Sequence, residues 1–375
     1  MKLLFDLRAT QPNLSGKRHG GGRYGEVIFF RMAEKGIKFS CFYDSAKWLN
    51  PEVKKVTDEK GIPLIDIAGK KLQEIVDEGG FDRVYSCLPR YETTHLLNCE
   101  MFCTQHGLRG QETPFDKAFW NYKNPLREQI KFIIKKTVPR LWLKRDMWKQ
   151  RREYINTKAK VVVVSEHTKY AVLSYFPEMK GREMPVFYSP NTSTGSAERA
   201  DTGERYFFCV SGNRWEKNNL RALEAFDRLL DCGLLSGVRM KVAGAQRDNF
   251  KHKFRHAEAF DFLGYVTDAE LERLYAGAYL FVYPSLNEGF GYPPIEAMRY
   301  GVPVIASPLS SMAEVCDAGA LYFNPFSVEE IMNRMLMMMD PERHAEFSAR
   351  ALAQHRKVSA RQEHDLEAMI EYITK

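Results

Sequence analysis

The chain has 375 residues, too long for one hydrophobic core and suited to two domains of roughly 180 residues each. With 44% apolar, 27% charged and 13% aromatic residues it can fill two cores, which excludes a disordered or fibrous protein. The net charge of +7 is local: from Leu126 to Glu153 there are ten Lys/Arg against three Asp/Glu, and the remainder of the chain sums to zero. That distribution argues against a nucleic-acid-coating protein and for one basic patch.

No apolar run approaches the ~18 residues of a membrane span. The opening MKLLFDLRATQPN turns polar too early for a signal peptide. Seven scattered cysteines with no C-x-x-C pair read as reduced core thiols of a cytosolic protein. Short apolar runs alternate with helical periodicity throughout. Strands are expected at residues 2–6, 37–43, 83–88, 101–105, 161–165 and 186–188, then at 206–211, 240–243, 260–263, 280–283, 304–306 and 321–323. This is an α/β chain with one doubly wound, Rossmann-like sheet in each half. The polar stretch NTSTGSAERADTGER at 191–205 is the expected linker between a first domain at 1–190 and a second at 206–355. Residues 356–375 are expected as a closing helix that packs back on the first domain. A cleft between two such domains is a common place for a ligand.

Within the first domain, Gly20, Gly21, Gly22 and Gly25 formally fit G-x-G-x-x-G, the dinucleotide fingerprint. The fingerprint needs its first glycine directly after the first strand, and here about a dozen residues intervene after Asp6. A flexible glycine loop lining the cleft on the acceptor side fits better. His106 follows the strand at 101–105, where an open α/β sheet places ligand-contacting residues. Pro139 splits the basic stretch into two helices, with Leu126, Ile130, Ile133 and Ile134 on one face of the first and Trp142 and Trp148 in the second. Two readings stay open: helices suited to an anionic membrane surface, or an ordinary amphipathic pair that packs its apolar face inward.

In the second domain, Arg214 and Lys217 lie in the loop between a strand ending at Gly212 and a helix from about Asn218, where their charges can neutralise a leaving nucleoside diphosphate. The most specific stretch is YPSLNEGFGYPPIEAMRYGVP at 283–303. A strand ends at Tyr283, Gly289-Phe290-Gly291 permits close backbone approach, and Pro293 or Pro294 opens a short helix whose N-terminus suits an anion. Glu288 and Glu296 bracket this turn, and paired carboxylates suit sugar or ribose hydroxyls.

This stretch resembles the E-x7-E signature of retaining glycosyltransferases of the GT-B fold, family 4, the glycosyl transferases group 1. Other segments are similar as well: Gly264-Tyr265-Val266 within FLGYVTD, VPVIAS at 302–307, VVVSEHTK at 162–169 and THGLR-like TQHGLR at 104–109. The resemblance implies a sugar-nucleotide-dependent, metal-independent retaining transferase needing no cofactor beyond its donor. By it, Glu296 holds the ribose, Glu288 and His106 face the donor sugar, and Gly264, Tyr265 and Val266 meet the base. Amides of Gly289, Phe290, Gly291 and Tyr292, with Lys217 and Arg214, stabilise the diphosphate. The implied acceptor is a saccharide or lipid-linked saccharide of bacterial surface polysaccharide synthesis, at a cytoplasmic or peripheral membrane location, with no nucleic acid involved. An NAD-dependent oxidoreductase built on Gly20–Gly25 and a non-enzymatic membrane adaptor are the alternatives.

Overall fold

The computed structural model describes residues 2–12, 20–192, 198–200 and 202–375; part of the expected linker lies outside the described residues. The chain divides into two compact units: Met1–Leu108 with Lys144–Thr192 and Ala360–Lys375, and Arg109–Leu143 with Ser193–Ser359.

The first unit holds β1 (Leu3–Asp6), β2 (Phe39–Tyr43), β3 (Leu64–Asp66), β4 (Arg83–Ser86), β5 (Glu100–Gln105) and β6 (Lys160–Val163). They pair in the order β3-β2-β1-β4-β5-β6, all parallel. The second unit holds β7 (Tyr206–Cys209), β8 (Arg239–Ala243), β9 (Phe260–Gly264), β10 (Leu280–Tyr283), β11 (Val304–Ala306) and β12 (Ala320–Tyr322). Their order is β12-β11-β10-β7-β8-β9, again all parallel. The central strands LLFD, YFFC and LFVY are buried at every position. Helices cover both faces of such a sheet, so its strands read as continuous apolar runs. In both sheets the order reverses beside the first strand, which opens a crevice at the carboxyl ends of adjacent strands.

Two strand expectations need correction. β3 is an addition, a three-residue edge strand whose side chains are only half-buried. Residues 186–188 form no strand; Val186 makes a single parallel bridge to Val163. The cysteines are core thiols at 41, 87, 103, 209 and 316, but Cys99 is only half-buried and Cys232 is exposed.

The acceptor-side loop expected at Gly20, Gly21 and Gly22 is also corrected. These residues open the helix Gly20–Glu34. Their neighbours explain the composition. A Cβ at Gly21 would lie 2.8 Å from Leu88 Cδ1, and one at Gly25 would lie 2.7 Å from Cys87 Sγ and 3.0 Å from Thr10 Cγ2. Gly21 and Gly25 let the helix approach the chain that leaves β4, so two of the fingerprint's glycines have a packing reason.

The domain boundary is corrected as well. Residues 109–143, expected in the first domain, cluster with the second unit. Arg221 grips both oxygens of Asp116 at 2.6 and 2.8 Å, and the Tyr122 hydroxyl accepts the Leu220 N–H at 3.0 Å. Phe119 and Phe132 stack on each other at 4.0 Å and both meet Trp215 edge-on. These long-range contacts outweigh sequence adjacency. The closing helix Pro341–Thr374 gives its residues from Ala360 to the first unit. There Gln362 donates to the Ser189 carbonyl at 2.6 Å, and Asp365 accepts from the Tyr188 N–H at 2.9 Å.

The two kinds of glycine give a contrast that denaturation can measure. Gly25→Ala should destabilise by about 1–3 kcal/mol through overpacking against the buried Cys87. Gly20→Ala meets nothing within 4 Å and should be neutral or stabilising by up to about 1 kcal/mol, through helix propensity. Equal urea midpoints for the two variants would contradict this packing.

Candidate active site

A buried convergence of polar side chains lies where β7 and β10 end side by side. After β7 the chain makes a single turn of tight helix at Trp215–Lys217 and enters the helix Asn219–Asp231 through Asn218, whose φ is +57°. Asparagine tolerates that left-handed conformation better than most residues. Its buried side chain fixes the turn, donating to the Pro284 and Pro325 carbonyls at 3.2 and 2.7 Å and accepting from Arg221 at 2.6 Å. After β10 the chain runs to Gly291, at φ +98°, where a Cβ would lie 2.6 Å from Met312 Sδ. The helix Tyr292–Arg299 then begins with proline in its first turn, which suits that position because those N–H groups would go unpaired. A backbone bond from Leu286 N–H to the Glu216 carbonyl, 2.8 Å, joins the two loops.

Lys217 and Glu288 meet across this junction, both side chains under a tenth exposed. The Lys217 ammonium donates to Glu288 Oε1 at 2.5 Å and to the Tyr283 hydroxyl at 2.8 Å. Tyr283 in turn donates to Glu288 Oε1 at 2.7 Å, and Ser285 donates to the same oxygen at 2.5 Å. Three donors thus converge on one carboxylate oxygen. Among the described residues Oε2 accepts no recorded bond, and Lys217 uses two of its three donors, so each partner keeps capacity for a ligand. Burial acts to raise the Glu288 carboxyl, but the Lys217 charge and the bonds from Lys217, Ser285 and Tyr283 outweigh it and hold the group at about 2. Burial draws Lys217 below the ordinary lysine value, with Glu288 opposing and the charges of Arg214 and Arg109 adding to the lowering.

The glycine turn is clasped from the segment after β11. Ser310 Oγ accepts the Glu288 N–H at 2.8 Å, and Ser311 Oγ donates to the Glu288 and Phe290 carbonyls, both at 3.0 Å. Asn287 donates to Glu112 at 3.1 Å. The sequence reading has Tyr283 only as a strand end and does not single out Ser285, Ser310, Ser311 or Glu112. A tyrosine at the end of an apolar strand and a Ser-Ser pair after another carry no distinctive spacing.

The other expected residues are placed as follows. Arg214 is half-buried beside Lys217, and Arg109 is exposed. Glu296 lies half-buried on the helix Tyr292–Arg299, outside the Lys217–Glu288 bond network. Gly289, Phe290 and Tyr292 line the turn. Gly264 ends the edge strand β9 at φ +63°, where a Cβ would lie 2.4 Å from the Gln246 amide. Tyr265 beyond it is 77% exposed and Val266 half-buried. His106 belongs to the first unit. Its Nε2 lies 2.9 Å from the Cys87 carbonyl, which requires Nε2–H as donor, and its ring stands edge-on to Tyr24 at 4.8 Å. Among the described residues no group of three or more His, Cys, Asp or Glu is arranged to hold a metal ion.

Comparison with known proteins places the fold in a class. Over 98% of the chain and 99% of the neighbour, the fold superposes on the Anabaena protein HepE, solved with UDP-glucose, with a TM-score of 0.64 at 15% identity. A glycosyltransferase from Rickettsia africae matches over 100% of this chain and 98% of its own, at a TM-score of 0.63 and 15% identity. The architecture is GT-B, two Rossmann-like domains. Residues 194–354 match the family described as Glycosyl transferases group 1. The serotype-specific mannosyltransferase WbdA of Escherichia coli is 36% identical over 152 residues, 38% of this chain and 19% of the relative. The O-antigen chain mannosyltransferase RfbU of Salmonella typhimurium is 31% identical over 177 residues, 44% of this chain and 46% of the relative. The matches thus span less than half the length of either relative.

The ion pair has a measurable pH signature. A depressed carboxyl contributes stability that is fully present above its unfolded value of 4.5 and is lost as pH falls through about 2. Glu288→Gln leaves a buried ammonium without its counter-ion and should destabilise the protein by about 3 kcal/mol at neutral pH. That gap should narrow as acid titrates the wild-type carboxyl. Urea midpoints of both proteins at pH 7 and pH 3 measure it, and an unchanged gap would show that Glu288 is not held ionised.

Proposed function

We propose that the chain is a glycosyltransferase that moves a sugar, with retention and without a metal ion, from a nucleoside-diphosphate donor to a saccharide or lipid-linked acceptor in bacterial surface polysaccharide synthesis. The observation that carries this reading is the Lys217–Glu288 pair at the strand-order reversal of a group 1 domain. Among the described residues, a lysine with one N–H not engaged and a carboxylate with one oxygen not engaged sit within one hydrogen-bonded cluster. The first suits a phosphate oxygen and the second a sugar hydroxyl. The mannosyltransferase names of WbdA and RfbU favour a mannosyl donor.

In this mechanism Lys217 and Arg214, with the amides of Gly289 to Tyr292, stabilise the negative charge that develops on the departing diphosphate. Glu288 Oε2 orients the donor sugar and Glu296 the ribose hydroxyls. The family resemblance assigns His106 to the sugar, and Gly264, Tyr265 and Val266 to the base. The bond from the anomeric carbon to the phosphate oxygen breaks while the acceptor oxygen attacks from the same face, and the leaving phosphate takes the acceptor proton. The acceptor side is supported by the basic stretch, which suits a lipid-linked saccharide at an anionic membrane surface. The oxidoreductase alternative is weakened, because Gly21 and Gly25 are needed for close helix packing.

Transfer assays and thermal shifts with GDP-mannose, UDP-glucose and NAD test the reading. A nucleotide sugar should raise the melting temperature and NAD should not. Arg214→Ala and Glu296→Gln should each lower kcat/KM by about a hundredfold, the scale of losing one preorganised contact to developing charge or substrate, while the melting temperature of the unliganded protein holds. Turnover should survive EDTA. Loss of activity on chelation, restored by Mg2+, would overturn the proposed leaving-group arrangement.

A further inference from the structure

The helix Leu126–Thr137 presents two faces that its sequence alone does not rank. Phe132 is its one fully buried side chain, set against Phe119 and Trp215. Leu126, Ile130, Ile133 and Ile134 follow the i, i+4, i+7, i+8 pattern of a single face, yet they are 72, 48, 47 and 43% exposed. At 100° per residue their mean direction lies about 145° from Phe132. The aliphatic face therefore points away from the fold, and Val138 and Leu141 beyond it are exposed too. Packing inward, one of the two readings left open by the sequence, does not occur on this face.

The rims of this seam are cationic. Arg127 and Lys131 lie along one side, Lys136 along the other, and Arg140 follows. The one acidic residue of the helix, Glu128, is paired with Lys131 at 2.6 Å. We infer that this helix is an interfacial anchor, whose aliphatic seam enters an anionic lipid bilayer while its basic rims meet the headgroups. Charge complementarity selects this occupant. A second copy laid seam to seam would bring like charges together. A nucleic acid would use the cations but offers nothing to the isoleucines. The anchor belongs to the donor-binding unit: Phe132 packs on Trp215, which opens the turn containing Lys217. Lipid would thus be met on the helix that buttresses the diphosphate loop. The inference does not depend on the transferase reading, since binding is measured with lipid alone.

Sedimentation of the full chain with vesicles of phosphatidylcholine, alone or mixed with phosphatidylglycerol, tests it. Wild type should pellet with the mixed vesicles and not with the neutral ones. The triple variant Ile130→Ser, Ile133→Ser, Ile134→Ser keeps every charge and should bind at least tenfold more weakly. The variant Lys131→Gln, Lys136→Gln, Arg140→Gln should lose the dependence on anionic lipid. All six positions lie outside the buried core, and unchanged melting temperatures will confirm folding. The inference is overturned if wild type ignores the mixed vesicles, or if the serine variant binds them as well as wild type does, which would leave charge alone. It is also overturned if wild type is a dimer that the serine variant dissolves while lipid binding is unchanged, which would make a second copy the occupant.

Discussion

The arrangement of the second unit depends on one buried ion pair. An ammonium and a carboxylate withdrawn from water together lose several kcal/mol of hydration each, and attraction offsets this only where geometry is good and further hydrogen bonds complete the shell. At Lys217–Glu288 the completion is one-sided. Tyr283 and Ser285 join Lys217 on Oε1, and Oε2 is left without a recorded donor among the described residues. A pair evolved for stability alone would be expected to saturate both oxygens. The asymmetry places the compensating hydrogen bonds on one oxygen and holds the other in position through it. On the proposed function, a ligand hydroxyl would meet a carboxylate whose position is already fixed, so less conformational entropy would be lost on binding.

The pair can form because of strand order. β7 and β10 are far apart in sequence and adjacent in the sheet, and a parallel sheet sends both of their following loops to the same edge. The loops are then tied at several heights: Leu286 to Glu216 through the backbone, Asn218 to Pro284 through a side chain, and Glu288 to Ser310 from the next strand over. Left-handed residues recur along this edge, at Ser211, Asn218, Gly291 and Ser310. Such conformations persist where surrounding bonds over-determine them, and they cluster at functional sites.

The sequence revealed elements whose signal is local and concealed those whose reason is long-range. All six strands of the second unit were legible because each is a short apolar run between turn residues. β3 was not, since LID at a sheet edge buries little and alternates weakly. Glu288 and Lys217 were legible as polar residues after strands, but their bond was not, nor were Tyr283 and Ser285, whose roles exist only once β7 and β10 are adjacent. The glycines at 20–25 illustrate the opposite error. Glycine signals a backbone that needs room, and a loop was the simplest use of that room; here the room is for Leu88 and Cys87 against a helix.

The excursion from Arg109 to Leu143 shows why sequence order and domain membership part company. It leaves after β5 and the chain returns to the same sheet at β6, so a linear reading keeps it with the first unit. Among the described residues it has anchors in the second: Asp116 on Arg221, Glu112 on Asn287, Tyr122 on Leu220 and on Phe250. Asp116 is buried, and its carboxyl is held low because Arg221 and the Ala118 N–H overcome the effect of burial. The residues that fasten the excursion are therefore polar and aromatic, whereas the aliphatic residues of its helix remain outside. This inverts the usual amphipathic arrangement. An exposed aliphatic face costs solubility in water, and Arg127, Lys131 and Lys136 beside it oppose self-association by their charge. On the proposed lipid anchor, the basic residues and the outward aliphatic seam make sense on the same helix, because a surface that stays soluble until it meets anionic lipid needs both.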